Sequence, residues 1–162
     1  MKKALLPSVI IFLVIGIDQG LKYWVSHSFS LHTTDTIIPH VLEFAYLHND
    51  GAAMGMLAGS RWYLIGFTGL LLLGCLGYLF LGKQQHVLLR CSLALIVGGG
   101  VGNLIDRIVL GYVIDFVRFP VSWFSYSFNI ADCAVCLGCG LLVLDLILDM
   151  LPQKASRVSE EA

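Results

Sequence analysis

Four stretches of this sequence are long and apolar enough to cross a lipid bilayer, and they constrain the fold more than any other feature. They cover residues 4–25, 62–82, 87–110 and 130–151. A spanning α-helix needs about 20 mostly apolar residues. Hydrophobic residues make up 57% of the 162-residue chain and charged residues only 13%, which leaves too little polar surface for a water-soluble globule. We therefore predict an all-α membrane protein with four transmembrane helices in one membrane-embedded domain.

The distribution of basic residues predicts the orientation of these helices. The loop over residues 26–60 contains no Lys or Arg. Because basic residues concentrate on the cytoplasmic side, both termini are expected there, with loops 26–61 and 111–129 on the outer side. The apolar run near the N-terminus lacks a cleavage site and is interpreted as a retained helix. The polar tail, residues 152–162, is expected to be disordered. The basic residues on the predicted inner side are Lys2, Lys3, Lys83, Arg90, Lys154 and Arg157.

The two outer loops are rich in β-branched and aromatic residues. Short strands are expected within residues 36–38, 41–47 and 112–128, with Pro120 breaking the last of these. Together they predict a small β-cradle on the outer surface of the membrane. Residues 51–57 predict a short interfacial helix.

Ionisable and amide side chains occur at the predicted outer ends of three helices. Within each helix their spacing is three or four residues, which places them on one face. Charges inside a membrane cost about 2.5–3.5 kcal/mol each on insertion scales and usually face the protein interior. Taken singly, these groups fit structural ion pairs or a helix N-cap, but their convergence at one depth predicts a functional site. The residues are Asp18 and Lys22, then Asn103, Asp106 and Arg107, then Asn129 and Asp132.

Other motifs favour structural roles. Cys133, Cys136 and Cys139 repeat every third residue, but no further ligand types lie nearby in sequence, so we interpret them as small apolar residues and expect neither a metal nor a cofactor. Gly98 and Gly102 form a small-xxx-small pair that favours close helix packing. The net charge of −1 provides no basic field for nucleic acid.

Five sequence runs resemble, in order, the motif set of bacterial lipoprotein signal peptidases (signal peptidase II). The resemblance extends from residue 1 to about residue 151, and Met54 stands where an aromatic residue is common in the family. It implies an inner-membrane aspartic peptidase that removes signal peptides from prolipoproteins by cutting before a diacylglyceryl-modified cysteine. The runs are DQGLK at 18–22, NDGAA at 49–53, GGVGNLIDR at 99–107, GYVIDF at 111–116 and FNIAD at 128–132.

The same resemblance implies roles for individual residues. Asp115 and Asp132 correspond to the catalytic pair. Apart from the resemblance, the outer-loop aromatics Trp123 and Phe124 are candidates for holding the peptide. The implied partners are diacylated prolipoprotein substrates and membrane lipid, and we expect a monomer. The residues expected to line or support the site are Asn49, Asn103, Arg107, Asn129, Asp18, Lys22 and Asp106.

Two carboxylates held close together cannot both ionise easily, so they share one proton. Amide hydrolysis needs a base to activate water and an acid to protonate the leaving nitrogen. Our hypothesis is that Asp132 is the ionised base, because a helix N-terminus favours negative charge. Asp115, on a loop, would hold the proton.

Three alternatives involve other chemistry. Ser26 lies four residues after Lys22, as a serine–lysine peptidase would require, but no other feature supports that pair. The five histidines form no HExxH helix, which argues against a metallopeptidase. A proton-coupled transporter would have carboxylates spread across the depth of the bilayer. Here the second helix, and the inner halves of the first and third, are apolar.

Overall fold

The computed structural model describes residues 2–51, 57–82, 86–121 and 124–151. Its four helices are long and apolar enough to cross a membrane, and its four strands form one sheet. This confirms the predicted membrane fold. Residues 52–56 of the predicted interfacial helix, and the predicted tail at 152–162, lie outside the described residues. The elements are α1 (Lys2–Ser28), β1 (Thr34–Ile38), β2 (Leu42–Asn49), α2 (Arg61–Leu81), α3 (Val87–Val109), β3 (Val113–Val121), β4 (Phe124–Phe128) and α4 (Ile130–Met150).

Helix α3 contacts each of the other three helices, and its glycines allow the close approach. A Cβ atom at Gly98 would lie 2.9 Å from the Val14 Cβ of α1. At Gly99 it would overlap the Ala131 carbonyl oxygen of α4, and at Gly100 it would meet a leucine of α2. The glycine run therefore acts as the packing surface that the sequence predicted.

Replacing Gly99 by Ala is expected to destabilise the protein, because the new methyl group would collide with backbone of α4 rather than with a movable side chain. Overpacking of this kind costs about 1–3 kcal/mol. Thermal unfolding in detergent would show a lower midpoint. Gly74→Ala in α2 is the matched control, because nothing lies within 4 Å of its added Cβ. Equal midpoints for the two variants would contradict the tight α3–α4 contact.

The C-terminal ends of α1 and α3 meet the N-terminal ends of α2 and α4 at one end of the bundle, which we call the polar end. Lys22 of α1 pairs there with Asp106 of α3 at 2.9 Å. Arg61, the first residue of α2, donates from Nε to the Arg107 carbonyl at 2.7 Å and from Nη2 to the Ile108 carbonyl at 2.8 Å. These bonds satisfy carbonyl groups that a helix C-terminus leaves without partners.

Away from the polar end, aliphatic side chains pack three of the helices together. They come from α1, α2 and α3 and form one cluster. Its buried members are Ile11, Leu72, Leu79, Leu93, Ala94 and Val97.

The four strands form an antiparallel sheet in the order β1-β2-β3-β4, which docks on the polar end of α1. Tyr46 of β2 with Ile114 and Phe116 of β3 form a buried cluster with Val25 of α1. This cluster holds β3, and with it Asp115, against the ends of the helices.

The prediction that Pro120 breaks a strand was wrong. Strand β3 continues through Pro120 to Val121, and Pro120 is paired with Ser125 of β4. Pairing between β3 and β2 extends only to Arg118, opposite Glu43. Beyond that point β3 has a partner on one side only, and such edge positions tolerate the missing N–H of proline.

Candidate active site at the polar end

A buried lysine lies at the centre of the polar side chains contributed by α1 and α3. Lys22 Nζ lies 2.8 Å from Asp18 Oδ2 and 2.9 Å from Asp106 Oδ2, and it donates to Asn103 Oδ1 at 3.0 Å. The lysine side chain is only 2% exposed. Its three N–H donors match three acceptors, which compensates the cost of burying the charge.

The two carboxylates that pair with Lys22 also accept hydrogen bonds from backbone N–H groups, each in a different element. Asp18 Oδ1 accepts a hydrogen bond from the Ala131 N–H at 2.9 Å, so α1 is joined to the start of α4. Asp106 Oδ2 accepts from the Ile114 N–H at 3.1 Å, so α3 is joined to β3. The ion pairs therefore connect α1 and α3 to the start of α4 and to β3.

Asp115 lies in β3 with 1% of its surface exposed. Its Oδ2 accepts from Asn49 Nδ2 at 3.0 Å and its Oδ1 accepts from Asn129 Nδ2 at 2.9 Å. Burial, followed by the nearby charge of Asp132, raises the pKa of Asp115 from its usual 3.8 to about 7. The two amide donors act in the opposite direction but do not cancel this effect.

Asp132 lies in the first turn of α4, where it forms a capping box with Asn129. The Asp132 N–H donates to Asn129 Oδ1 at 3.0 Å, and the Asn129 N–H donates to Asp132 Oδ2 at 3.1 Å. Asp132 Oδ1 also accepts from Asn103 Nδ2 at 2.7 Å. The interpretation of Asn129 as an N-cap is therefore correct, although capping accounts for only part of its bonding.

Asn129 bonds to both aspartates, through its side chain to Asp115 and through its backbone N–H to Asp132. Its Nδ2 also lies 3.1 Å from Asn103 Oδ1. Asn129 is fully buried. The structure thus brings Asp115 and Asp132 together around a single asparagine.

Arg107 holds the backbone just after Asn49, the last residue of β2. Its Nη2 donates to the Gly51 carbonyl at 2.8 Å, and the Gly51 N–H donates to Asn49 Oδ1 at 3.0 Å. The charge of Arg107 also interacts with those of Asp132 and Asp115. All nine residues predicted for the site therefore lie at the polar end, in one connected set of contacts.

Two residues near the aspartates were not predicted as site residues. Gln19 donates from Nε2 to Asp106 Oδ1 at 2.9 Å, and its position three residues before Lys22 was the available signal. Burial, followed by the charges of Asp132 and Asp115, raises the pKa of Tyr126 in β4 to about 12. Trp123 and the side chain of Phe124 lie outside the described residues.

The serine–lysine alternative fits the contacts poorly. Ser26 Oγ donates to the Tyr23 carbonyl at 3.0 Å. Lys22 is fully engaged with two carboxylates and an amide, so its ammonium group is not available to activate a serine.

Comparison with known proteins identifies the family. Residues 10–148 match the family described as signal peptidase (SPase) II. The chain belongs to the signal peptidase II family. This family member is 42% identical over 147 residues to a lipoprotein signal peptidase of Symbiobacterium thermophilum, covering 89% of this chain and 95% of the relative. It is 41% identical over 140 residues to a lipoprotein signal peptidase of Yersinia enterocolitica, covering 82% and 81%.

Solved structures agree with the family assignment. A bacterial membrane enzyme determined at 2.3 Å resolution superposes with a TM-score of 0.84 at 28% identity, covering 94% of this chain and 93% of that one. A second bacterial membrane enzyme gives a TM-score of 0.77, also at 28% identity, with 88% and 93% covered. This signal peptidase II family member is therefore a multi-pass bacterial membrane peptidase.

Proposed function

We propose that this peptidase is an aspartic endopeptidase that removes signal peptides from prolipoproteins by cutting before the diacylglyceryl-modified cysteine. Asp115 and Asp132 are its catalytic pair. The observation that supports this most directly is the position of Asn129, which donates hydrogen bonds to both carboxylates and so holds them at one point. Two adjacent carboxylates that share one proton can act as base and acid in amide hydrolysis.

The two aspartates have different roles. Asp132 is the ionised base, because it lies in the first turn of a helix and accepts a backbone N–H there. Asp115 holds the shared proton, in keeping with its raised pKa. Asp132 takes a proton from water as the water oxygen attacks the scissile carbonyl carbon, and Asp115 gives its proton to the leaving nitrogen as the C–N bond breaks. The pair still holds one proton afterwards, which returns from Asp132 to Asp115 before the next turnover.

The remaining polar residues arrange this pair. Three asparagines and one arginine line the site, and three charged residues of α1 and α3 support it. The polar end faces the outer side of the membrane and both termini are cytoplasmic, because the loop over residues 26–60, on the side of the polar end, carries no Lys or Arg. The protein acts as a monomer without a cofactor. The lining residues are Asn49, Asn103, Arg107 and Asn129, and the supporting residues are Asp18, Lys22 and Asp106.

Activity is expected to fall as the pH rises above about 7. Asp115, with its pKa raised to about 7, is protonated below that pH and becomes ionised above it, so the general acid is lost. The kcat/KM for cleavage of a lipidated peptide should fall roughly tenfold for each pH unit in this range, as for loss of one essential proton from the free enzyme. The measurement is kcat/KM from pH 5 to pH 9.

His48 is the control for this pH dependence, because it lies next to Asn49 and carries an imidazole, whose ordinary pKa is 6.5. Burial, followed by the charge of His32, lowers its pKa from the usual 6.5. The His48→Gln variant should keep the fall in activity above pH 7. If that fall disappears with the imidazole, Asp115 is not the group responsible.

The experiment that tests the proposed function compares two substrates that differ only in lipid. Purified protein is incubated with a prolipoprotein peptide carrying a diacylglyceryl cysteine, and with the same peptide carrying an unmodified cysteine. Mass spectrometry should show cleavage before the lipidated cysteine and little cleavage of the other peptide. Absence of cleavage in both would refute the proposal, and equal cleavage would refute the lipid requirement.

A further inference from the structure

Asp18 and Asp106 make matching contacts next to the two proposed catalytic residues. Asp18 binds the N–H of Ala131, which directly precedes Asp132. Asp106 binds the N–H of Ile114, which directly precedes Asp115. Each carboxylate therefore holds the backbone one residue before a different aspartate of the pair.

The two carboxylates are themselves joined by side chains of α1. Lys22 Nζ bridges them at 2.8 and 2.9 Å. Gln19 Nε2 bridges them a second time, at 2.9 Å from Asp106 Oδ1 and 3.3 Å from Asp18 Oδ2. Gln19 Nε2 also lies 3.2 Å from the Gly102 carbonyl of α3. We call Asp18, Gln19, Lys22 and Asp106 the α1–α3 brace.

We propose that the α1–α3 brace sets the separation of Asp115 and Asp132, and that Gln19 is a positioning residue within it. The inference rests on the proposed function, since it assigns a consequence for catalysis to the spacing of that pair. The brace fixes two backbone amides relative to each other through rigid, buried contacts, with Asp18 0% and Asp106 2% exposed. A peptide bond and one Cα atom then connect each amide to its aspartate, which leaves little freedom for the spacing to change.

Gln19 is the member of the brace that can be tested without changing charge. The charges of Lys22 and Asp132 both act on Asp115. Substitution of a charged brace residue would therefore change the electrostatic field at Asp115 and the geometry of the brace at the same time. Gln19 is neutral. Gln19→Met keeps a side chain of similar length but removes the donor, leaving Asp106 Oδ1 without its bond from Nε2. The Asp106 carboxylate is then held by its described contacts through Oδ2 alone, to Lys22 and the Ile114 N–H, and can turn about that oxygen.

The expected result for Gln19→Met is a fall in kcat of roughly 10- to 100-fold with little change in KM, the scale associated with small displacements of catalytic groups. A wider spacing also weakens the effect of the Asp132 charge on Asp115, so the loss of activity near pH 7 should begin at lower pH. Other charged or titratable groups interact with the pair, and this variant leaves them in place: Asp18 and Lys22 of α1, Arg107 of α3, Tyr126 of β4 and Cys133 of α4. Gln19→Asn, whose amide is one methylene too short to reach Asp106, should behave similarly.

Ser26→Ala is the matched control. Ser26 lies on the same end of α1, but its hydroxyl bonds to the Tyr23 carbonyl and not to the brace. It should keep the original kcat and pH profile. Unchanged kcat and pH profile in Gln19→Met would overturn the inference, and so would a reduced yield of folded protein with unchanged kcat per folded molecule.

The Asp115→Asn variant, assayed in parallel, separates this inference from the proposed function. If Asp115→Asn cleaves normally, the catalytic pair itself is wrong. If Asp115→Asn is inactive while both Gln19 variants are fully active, the pair is supported and only the role of the brace is refuted.

Discussion

Replacing either Asp115 or Asp132 by Asn should reduce cleavage of a lipidated peptide by about 10⁴-fold, the upper range for loss of a general acid or base. An amide cannot accept a proton from water at Asp132 or supply the shared proton at Asp115. The measurement is single-turnover cleavage by purified variants in detergent. The midpoint of thermal unfolding and the amount of protein inserted into membranes should match those of the original protein, since Asn has nearly the shape of Asp.

Asp35→Asn is the control for these two variants. Asp35 lies in β1, a strand whose residues are all exposed. The Asp35→Asn variant makes the same chemical change outside the site, and its cleavage rate should equal that of the original protein. Normal turnover by either Asp115→Asn or Asp132→Asn would show that the pair does not perform the reaction.

Asn129→Ser should separate the two functions of Asn129. A serine oxygen still caps α4 by accepting the Asp132 N–H, so the helix start is retained. The donor to Asp115 Oδ1 is lost. Removal of one preorganised donor typically costs about 10²–10³-fold in kcat. Because that donor lowers the pKa of Asp115, its removal should also move the loss of activity to higher pH.

Comparison with Asn129→Ala tests this separation. Alanine removes the cap as well as the donor, so its unfolding free energy should fall by about a further 1 kcal/mol relative to the serine variant. The two variants should have similar kcat values per folded molecule. Full activity in Asn129→Ser would mean that the bond to Asp115 has no part in the reaction.

Most of what could be predicted about the fold, and about the residues that support the site, came from the helical periodicity of the sequence. The four-residue spacing of Asp18 and Lys22 is a local property of a helix, and both residues do share one buried face. The glycine run marked the packing surface of α3 for a similar reason. These predictions needed only the period of a helix and the cost of placing charge in lipid.

Strand positions were harder to predict because the register of a sheet depends on residues distant in sequence. A register shift lies between Phe44 and Leu47, and it places Leu47 opposite Asp115. No pattern near Asp115 indicates this, so its place in the site came from family resemblance alone. The position of Tyr126 was missed for the same reason, and Pro120 was misread because its partners could not be known.

Gln19 illustrates a different limit. The sequence placed it on the face of Lys22, but its target, Asp106, depends on how closely α1 approaches α3. That distance depends on contacts between helices, such as Gly98 against Val14. The residues that neighbour each of them in sequence do not predict such contacts. Side-chain partners across helices therefore require the assembled bundle.

The capping box at the start of α4 has a consequence for biosynthesis. Asn129 and Asp132 lie at the start of α4, which leaves the ribosome after Asp115 in β3. A nascent chain that has inserted only α1 to α3 holds one aspartate without its partner and without the asparagine that joins them. Chains fold from the N-terminus during synthesis. On the proposed mechanism, a chain that ends before α4 lacks one member of the catalytic pair, so it should carry no peptidase activity even when α1 to α3 are inserted.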